Sequence, residues 1–322
     1  MAYHFSGVKN PLAGQGSENY NPLAMSHPHR STGRQHIAFL TLLLGAGAIA
    51  FSPIFVRLSE LGPFSTAFYR VALALPAFWF WMALPRSKAD PARTPSTRGD
   101  YARLTLAGVF FAGDLAFWHW SINLTSVANS TLLANAAPVF VTLAAFFMFK
   151  HRFSKLFLLG LGCAIGGIVL LMGNSLRLGG DHILGDALGV ITAMFYAAYI
   201  LAVGKLREEF STVIIMTWSG LVSGLVLLVL MYITEDSLVA ESTMGWMVLL
   251  GLALFSHAGG QSLIAYSLAH LPAALGSVGL LLQPVLATVL AWLLFAEPLG
   301  TLQVWGGVAV LAGIYITKRG AR

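Results

Sequence analysis

Long apolar stretches separated by short polar links run along most of this chain of 322 residues. Each stretch is close to the length of about 20 residues that a helix needs to cross the hydrocarbon core of a bilayer. The pattern therefore predicts an all-α polytopic membrane protein with ten transmembrane helices. The predicted spans are residues 36–58, 66–84, 102–121, 129–149, 156–173, 185–205, 211–233, 244–268, 273–295 and 301–317.

The two halves of the chain share local sequence at a constant offset of 146 residues (210 − 64 = 146). Phe64-Ser65-Thr66 recurs as Phe210-Ser211-Thr212, and Pro138-Val139 recurs as Pro284-Val285. Each copy holds five predicted spans, an odd number, so the second copy enters the membrane from the opposite side. Inverted-topology repeats of this kind are typical of secondary transporters, in which the two copies alternate access to a shared site.

The repeats define the predicted domain organisation. The first five-helix repeat is residues 36–173, and the second is residues 185–318. Residues 1–35 are polar and rich in Gly, Ser, Asn and His, with no apolar stretch of the kind found in a cleavable signal. We predict that they form a disordered cytoplasmic tail, within which Met25 begins a segment more typical of the start of a membrane protein.

Composition supports the membrane class and excludes several others. Hydrophobic residues make up 57% of the chain and charged residues 10%, which is unlike a soluble domain. The net charge of +6 indicates no nucleic-acid partner, because basic residues of membrane proteins collect in cytoplasmic loops. The one cysteine, Cys163, has no partner for a disulfide, and His27, His29 and His36 lie in the tail, so we expect no metal site. No cofactor and no ATPase are expected, since there is no GxxxxGK[ST] loop.

Basic residues fall on one side of a ten-span arrangement, whereas the opposite side is mainly acidic. By the positive-inside rule, both termini are predicted to be cytoplasmic. The basic side carries Lys9, Arg30, Arg34, Arg86, Lys88, Arg93, Arg98, Arg103, Lys150, Arg152, Lys155, Lys205, Arg207, Lys318, Arg319 and Arg322.

Glycine pairs at small-xxx-small spacing allow close approach of helix backbones in lipid. Gly162 with Gly166, and Gly220 with Gly224, have this spacing. We interpret both pairs as packing within one bundle rather than between subunits, and expect a monomer.

Three segments are informative: Leu-Leu-Gln-Pro-Val-Leu-Ala at 281–287, Ala-Trp-Leu-Leu-Phe-Ala-Glu-Pro-Leu at 291–299 and, in the first half, Asn-Ala-Ala-Pro-Val-Phe at 135–140. With these segments, residues 36–318 resemble the drug/metabolite transporter superfamily in its ten-helix form, which is made of two tandem EamA-type repeats. Such repeats commonly end their fourth helix with a Gly-Glu turn, which Glu297 matches and His151 does not.

The resemblance implies a central cavity lined by both repeats, alternating access and a small-molecule substrate. Among the members of the superfamily, the chain is similar to bacterial exporters of amino acids, including the aromatic amino acid exporter. That similarity implies a multi-pass protein of the bacterial inner membrane that exports small metabolites, amino acids first among them.

Ionisable side chains at membrane depth are costly and are candidates for function. Asp114, in the middle of the third span, is placed to receive an ammonium group or a proton. Arg70, in the second span, is able to clamp a carboxylate with two parallel hydrogen bonds. Together they match a zwitterion, although Asp114 also suits a bond to a neighbouring helix, and Arg70 also suits snorkelling to the outer interface or a pair with Glu60.

Other polar and aromatic residues complete the predicted substrate site. His257 and Gln261 are four residues apart and share a face of a regular helix, and His257 has a side chain that titrates near neutral pH. The repeat register places His257 opposite Phe111. The remaining candidates are Trp118, Tyr196, Tyr199 and Gln283.

Three prolines lie inside predicted spans, where each removes a backbone hydrogen bond and permits a kink. We interpret Pro53, Pro138 and Pro284 as hinge or gating positions; the alternative is that they form permanent bends that do not move.

Three other functions compete with amino acid export. A drug or cation efflux transporter related to the small four-helix exporters would carry a glutamate within its first span, where this chain has none before Glu60. A sugar-phosphate exchanger would need several buried cations. An integral-membrane enzyme would need a catalytic cluster, and neither an HExxH motif nor paired carboxylates occur at membrane depth.

Overall fold

The computed structural model describes residues 32–84, 93–125, 127–172, 182–235, 237–296 and 299–321, and this part of the chain is helical without strands. The predicted tail lies outside it up to residue 31. The helices are α1 (Thr32–Ala50), α2 (Ser52–Leu58), α3 (Pro63–Ala72), α4 (Leu75–Ala83), α5 (Arg98–Leu124), α6 (Val127–Ala134), α7 (Ala137–Phe149), α8 (Lys155–Met172), α9 (Ile183–Leu206), α10 (Thr212–Thr234), α11 (Thr243–Leu250), a π-helix (Gly251–Gln261), α12 (Ser262–Leu268), α13 (Ala273–Gly279), α14 (Leu282–Phe295) and α15 (Thr301–Gly320).

Seven helical segments in the described residues are long and apolar enough to cross a membrane. They are Gln35–Leu58, Ser130–Met148, Lys155–Met172, Ile183–Leu206, Thr212–Thr234, Thr243–Leu268 and Ala273–Phe295. The other predicted spans correspond to α3 with α4, to α5 and to α15, which do not reach that threshold. The all-α polytopic fold is therefore confirmed, and the count of ten spans stays a prediction.

Several predicted spans are not continuous helices. The first changes from α1 to α2 at Phe51, two residues before Pro53. The fourth changes from α6 to α7 before Pro138, and the ninth changes from α13 to α14 shortly before Pro284. A proline has no backbone N–H and its ring collides with the preceding turn, which explains why the regular helix stops at these points.

The tightest helix pair is α8 with α15. A Cβ atom at Gly160 would lie 2.4 Å from the backbone nitrogen of Thr317, and one at Gly313 would lie 2.4 Å from that of Ala164. Glycine is required where backbones approach this closely. The predicted pair Gly162 and Gly166 is wrong for this role, because both positions meet nothing within 4 Å and lie on the exposed face of α8.

One end of the bundle is joined by an ionic network. Arg93 forms two parallel hydrogen bonds to the buried Asp100 carboxylate, at 2.7 and 2.6 Å. Arg103 donates to Asp100 at 2.7 Å and to Glu209 at 2.6 Å, and the Arg93 guanidinium lies 4.6 Å from the ring centre of Phe210. We call this the basic end; the network ties the start of α5 to the link between α9 and α10.

The other end, which we call the acidic end, is joined by two glutamates that cap helices of the opposite half. Glu60 accepts a hydrogen bond from the backbone N–H of Ser242 at 3.2 Å, just before α11. Glu235 accepts one from the backbone N–H of Ser65 at 2.9 Å, in the first turn of α3. A carboxylate at a helix amino terminus satisfies free N–H groups and opposes the positive end of the helix dipole. Glu60 is therefore engaged here and does not pair with Arg70.

Candidate functional site

A cavity of about 170 Å³ opens between helices of both halves of the chain. Its walls come from α1, α2, α3, α5, α6, α9, α14 and the π-helix, so it lies at the centre of the bundle. Val56, near the end of α2, and Thr131, in the middle of α6, also line it. The cavity therefore extends from the middle of the bundle toward the acidic end, and the ionic network lies at the opposite end.

Arg70 reaches the cavity from the last turn of α3. Its side chain is buried, and its Nε has no hydrogen-bond partner among the described residues. The alternative that it snorkels to the outer interface is wrong, because only 9% of the residue is exposed. A buried guanidinium without a full set of acceptors is unfavourable, which makes Arg70 ready to bind an anionic group that enters the cavity.

Asp114 lines the same cavity from the middle of α5, with Trp118 one turn further along the helix. Within the described part of the chain, no hydrogen bond reaches the Asp114 carboxylate, and the charged group that interacts with it electrostatically is Arg70. The two residues form no direct ion pair in the described residues. Opposite charges thus face one cavity across a gap.

Tyr196 and Gln283 lie beside one another on facing helices, α9 and α14, and both line the cavity. The Gln283 Nε2 is buried without a hydrogen-bond partner among the described residues. A neutral donor of this kind in an apolar wall is able to orient a polar ligand. Tyr196 adds a hydroxyl group to the same wall.

Gln261 and His257 do not share one wall of the cavity as predicted. Gln261 lines it, whereas His257 lies behind Phe111, whose ring is stacked on the imidazole with centroids 5.4 Å apart. The spacing argument assumed an α-helix, but this segment is a π-helix, in which each turn takes more residues. His257 is buried, and neither ring nitrogen has a hydrogen-bond partner in the described structure.

Tyr199 is also outside the cavity. It packs against Phe111 with ring centroids 4.8 Å apart, and its hydroxyl donates to the sulfur of Met216 at 3.8 Å. The three-residue spacing from Tyr196 rotates it to a buried face of α9. Phe111 therefore separates two predicted site residues, Tyr199 and His257, from the cavity.

The three predicted hinge prolines likewise do not all lie at the cavity. Pro53 and Pro284 line the cavity, whereas Pro138 does not, although the helix break that precedes it contributes Ala134 and Asn135 to the wall. All three lie at or next to a break between helices. Their role in gating stays a prediction.

Sequence reasoning missed four polar residues of the wall: Ser52, Thr131, Asn135 and Thr192. The Ser52 hydroxyl is buried without a hydrogen-bond partner in the described residues, and the Asn135 amide donates to the carbonyl oxygen of Thr131 at 2.8 Å. Both lie next to a proline-associated break. The sequence signal for Ser52 and Asn135 is a polar residue within three positions of a proline inside a predicted span. No cluster of three or more metal-ligating side chains occurs in the part of the chain that the structure describes.

A bundle of apolar helices around a central polar cavity defines a multi-pass membrane protein. The model of the EamA-like transporter family matches residues 36–173 and again residues 183–319. The chain belongs to this family, and it is a membrane transporter with a small-molecule substrate.

Similar proteins carry the same general description. An uncharacterized transporter of Archaeoglobus fulgidus is 25% identical over 86% of this chain and 94% of its own length. The uncharacterized transporter YdfC of Bacillus subtilis is 24% identical over 86% of this chain and 89% of its own. A solved crystal structure superposes with a TM-score of 0.73 at 16% identity, over 91% of this chain and 99% of that one. That last likeness shows the fold alone.

Proposed function

We propose that the protein is a secondary transporter that exports amino acids by alternating access. The observation that carries the proposal is the pair of unsatisfied opposite charges, Arg70 and Asp114, in one central cavity. An amino acid zwitterion offers a carboxylate to the first and an ammonium group to the second. A bound zwitterion therefore satisfies both buried charges at once, which neither a purely anionic nor a purely cationic ligand does.

The size and character of the cavity support the same substrate class. A volume of about 170 Å³ suits a single small molecule, and the Phe111 and Trp118 rings provide an apolar wall next to the charged pair. Specificity in such sites comes from a few placed polar groups within an apolar lining. Gln261, Gln283 and Tyr196 are the neutral polar groups that we propose orient the substrate.

We further propose that the halves are inverted repeats and that the basic end faces the cytoplasm of a bacterial inner-membrane protein. The basic loops of the sequence support this orientation. Contacts between equivalent positions support the repeat: Phe111 stacks on His257, and the Cys163 thiol donates to the Ala309 carbonyl at 3.4 Å, each pair 146 residues apart (257 − 111 = 309 − 163 = 146). Residues related by a two-fold axis meet one another close to that axis.

The direct test is uptake of a panel of radiolabelled amino acids into proteoliposomes, with and without an imposed pH gradient. We expect saturable flux for some members of the panel. Arg70→Ala and Asp114→Asn should each reduce that flux while the amount of inserted protein is unchanged. Organic cations form the comparison panel: their transport without any amino acid flux would replace the proposal with drug efflux.

A further inference from the structure

Pro53 and Pro138 each leave one backbone carbonyl oxygen without its helical hydrogen bond. In a regular α-helix the carbonyl of residue i − 4 accepts from the N–H of residue i, and proline has none. The oxygens concerned are those of Ile49 and Ala134, and no backbone N–H among the described residues takes the place of the missing donor.

Both freed carbonyls belong to residues of the cavity wall. Ile49 and Ala134 line the cavity, as does Asp114, and they belong to α1 and α6. Irregular backbone is tolerated at membrane depth where it borders a cavity, and its carbonyls there serve as ligands for cations. The cavity that Asp114 lines therefore holds two unsatisfied backbone acceptors besides the carboxylate.

We propose that the backbone carbonyls of Ile49 and Ala134 act with Asp114 as the acceptors for a primary ammonium group of the substrate. This proposal rests on the proposed function and deepens it. A primary ammonium group has three N–H donors, which match the carboxylate and the two carbonyls. A secondary ammonium group has one donor fewer, and a trimethylammonium group has none, so the site selects primary amines.

Pro284 provides a matched control. It also interrupts a helix at the cavity wall, but the carbonyl that it would free, that of Leu280, accepts a hydrogen bond from the backbone N–H of Gln283 at 2.9 Å. Replacement of Pro284 by alanine therefore changes a bend without removing a free acceptor. Pro53→Ala and Pro138→Ala, in contrast, each supply an N–H that occupies the freed oxygen.

The experiment measures uptake of radiolabelled alanine, leucine and phenylalanine into proteoliposomes, with the corresponding N-methyl and N,N,N-trimethyl amino acids as competitors. The readout is the ratio of half-inhibitory concentrations of the N-methyl compound and the unlabelled parent amino acid. Loss of a hydrogen bond to a charged group corresponds to about a tenfold change in affinity or more. We expect a ratio of about ten in the wild type and in Pro284→Ala, and about three or less in Pro53→Ala and Pro138→Ala.

Both half-inhibitory concentrations are measured on the same preparation of each variant, so a lower yield of folded protein does not affect their ratio. If one of the two variants is not recovered, the other decides. A wild-type ratio near one, or a ratio of about ten in both Pro53→Ala and Pro138→Ala, overturns the carbonyl site while leaving amino acid transport intact. Absence of flux for every amino acid instead overturns the proposed function, and the carbonyl site with it.

Discussion

Replacement of Gly160 by alanine should destabilise the bundle through the α8–α15 contact. The added Cβ would lie 2.4 Å from the backbone nitrogen of Thr317, whereas ordinary contact begins at 3.4 Å, so the helices must separate by about 1 Å (3.4 − 2.4). Overpacking of this kind costs about 3 kcal/mol at the upper end of its range, and the better helix propensity of alanine returns about 1 kcal/mol. The expected net loss in the free energy of unfolding is about 2 kcal/mol.

Gly162→Ala is the matched control on the same helix. It meets nothing within 4 Å, so only the propensity gain of about 1 kcal/mol remains. Heat unfolding of the detergent-purified variants, followed by tryptophan fluorescence, should give a lower midpoint than the wild type for Gly160→Ala and an equal or higher one for Gly162→Ala. Equal midpoints for the two variants would refute the assignment of Gly160 to a close backbone contact.

Three further outcomes follow from the site and from the ends of the bundle. Trp118→Ala should raise the KM for aromatic amino acids about tenfold more than that for alanine, because it removes part of the apolar wall. The Arg103 and Arg93 guanidinium groups lower the pKa of Glu209 to about 2, so its contribution to stability is complete above its ordinary pKa near 4.5 and is lost as the pH falls toward 2. The unfolding midpoint of Glu209→Gln should therefore depend less on pH between 5 and 3, a range of about two units, than that of the wild type. The hydrogen bonds from Ser242 lower the pKa of Glu60, so Glu60→Gln should unfold at a lower temperature at neutral pH, and the difference should shrink on acidification.

These comparisons need their own controls. For Trp118, the control is the ratio of the KM for an aromatic amino acid to the KM for alanine, since a general loss of activity would change both values equally. For Glu209, the neighbouring Glu208→Gln leaves the network with Arg93 and Arg103 in place and should follow the wild type. A steeper pH dependence in Glu209→Gln than in the wild type would contradict the role given to the network. A constant difference for Glu60→Gln at all pH values would contradict the capping argument.

The hydropathy pattern predicted the helical segments well. A backbone in lipid must satisfy its own hydrogen bonds, and a single segment does this by forming a helix. The same scarcity of charge identified Arg70 and Asp114, since each is exceptional in an apolar span and the cavity is where such a side chain is tolerated. The wall of the cavity on which each of them lies could not be predicted, because it depends on how the helices pack against one another. Trp118 followed from Asp114 by helical spacing because α5 is a continuous α-helix.

The failures have a common physical cause, which is departure from regular α-helix geometry. Gln261 and His257 were assigned to one face, and the π-helix together with the Phe111 ring separates them. Gly162 and Gly166 have the expected spacing but lie on the exposed face, since spacing alone does not say which face meets α15. Helical periodicity does not identify Ser52 and Asn135 as site residues, because they reach the cavity where a proline-associated break interrupts the helix.

The measurement closest to the central claim is counterflow in proteoliposomes preloaded with an unlabelled amino acid. Labelled substrate outside should accumulate transiently with the wild type, because the carrier exchanges the two pools through one cavity. Arg70→Ala and Asp114→Asn should abolish the accumulation, and Glu60→Gln, which leaves the cavity intact, should retain it. Counterflow at the wild-type level in both cavity variants would contradict the account.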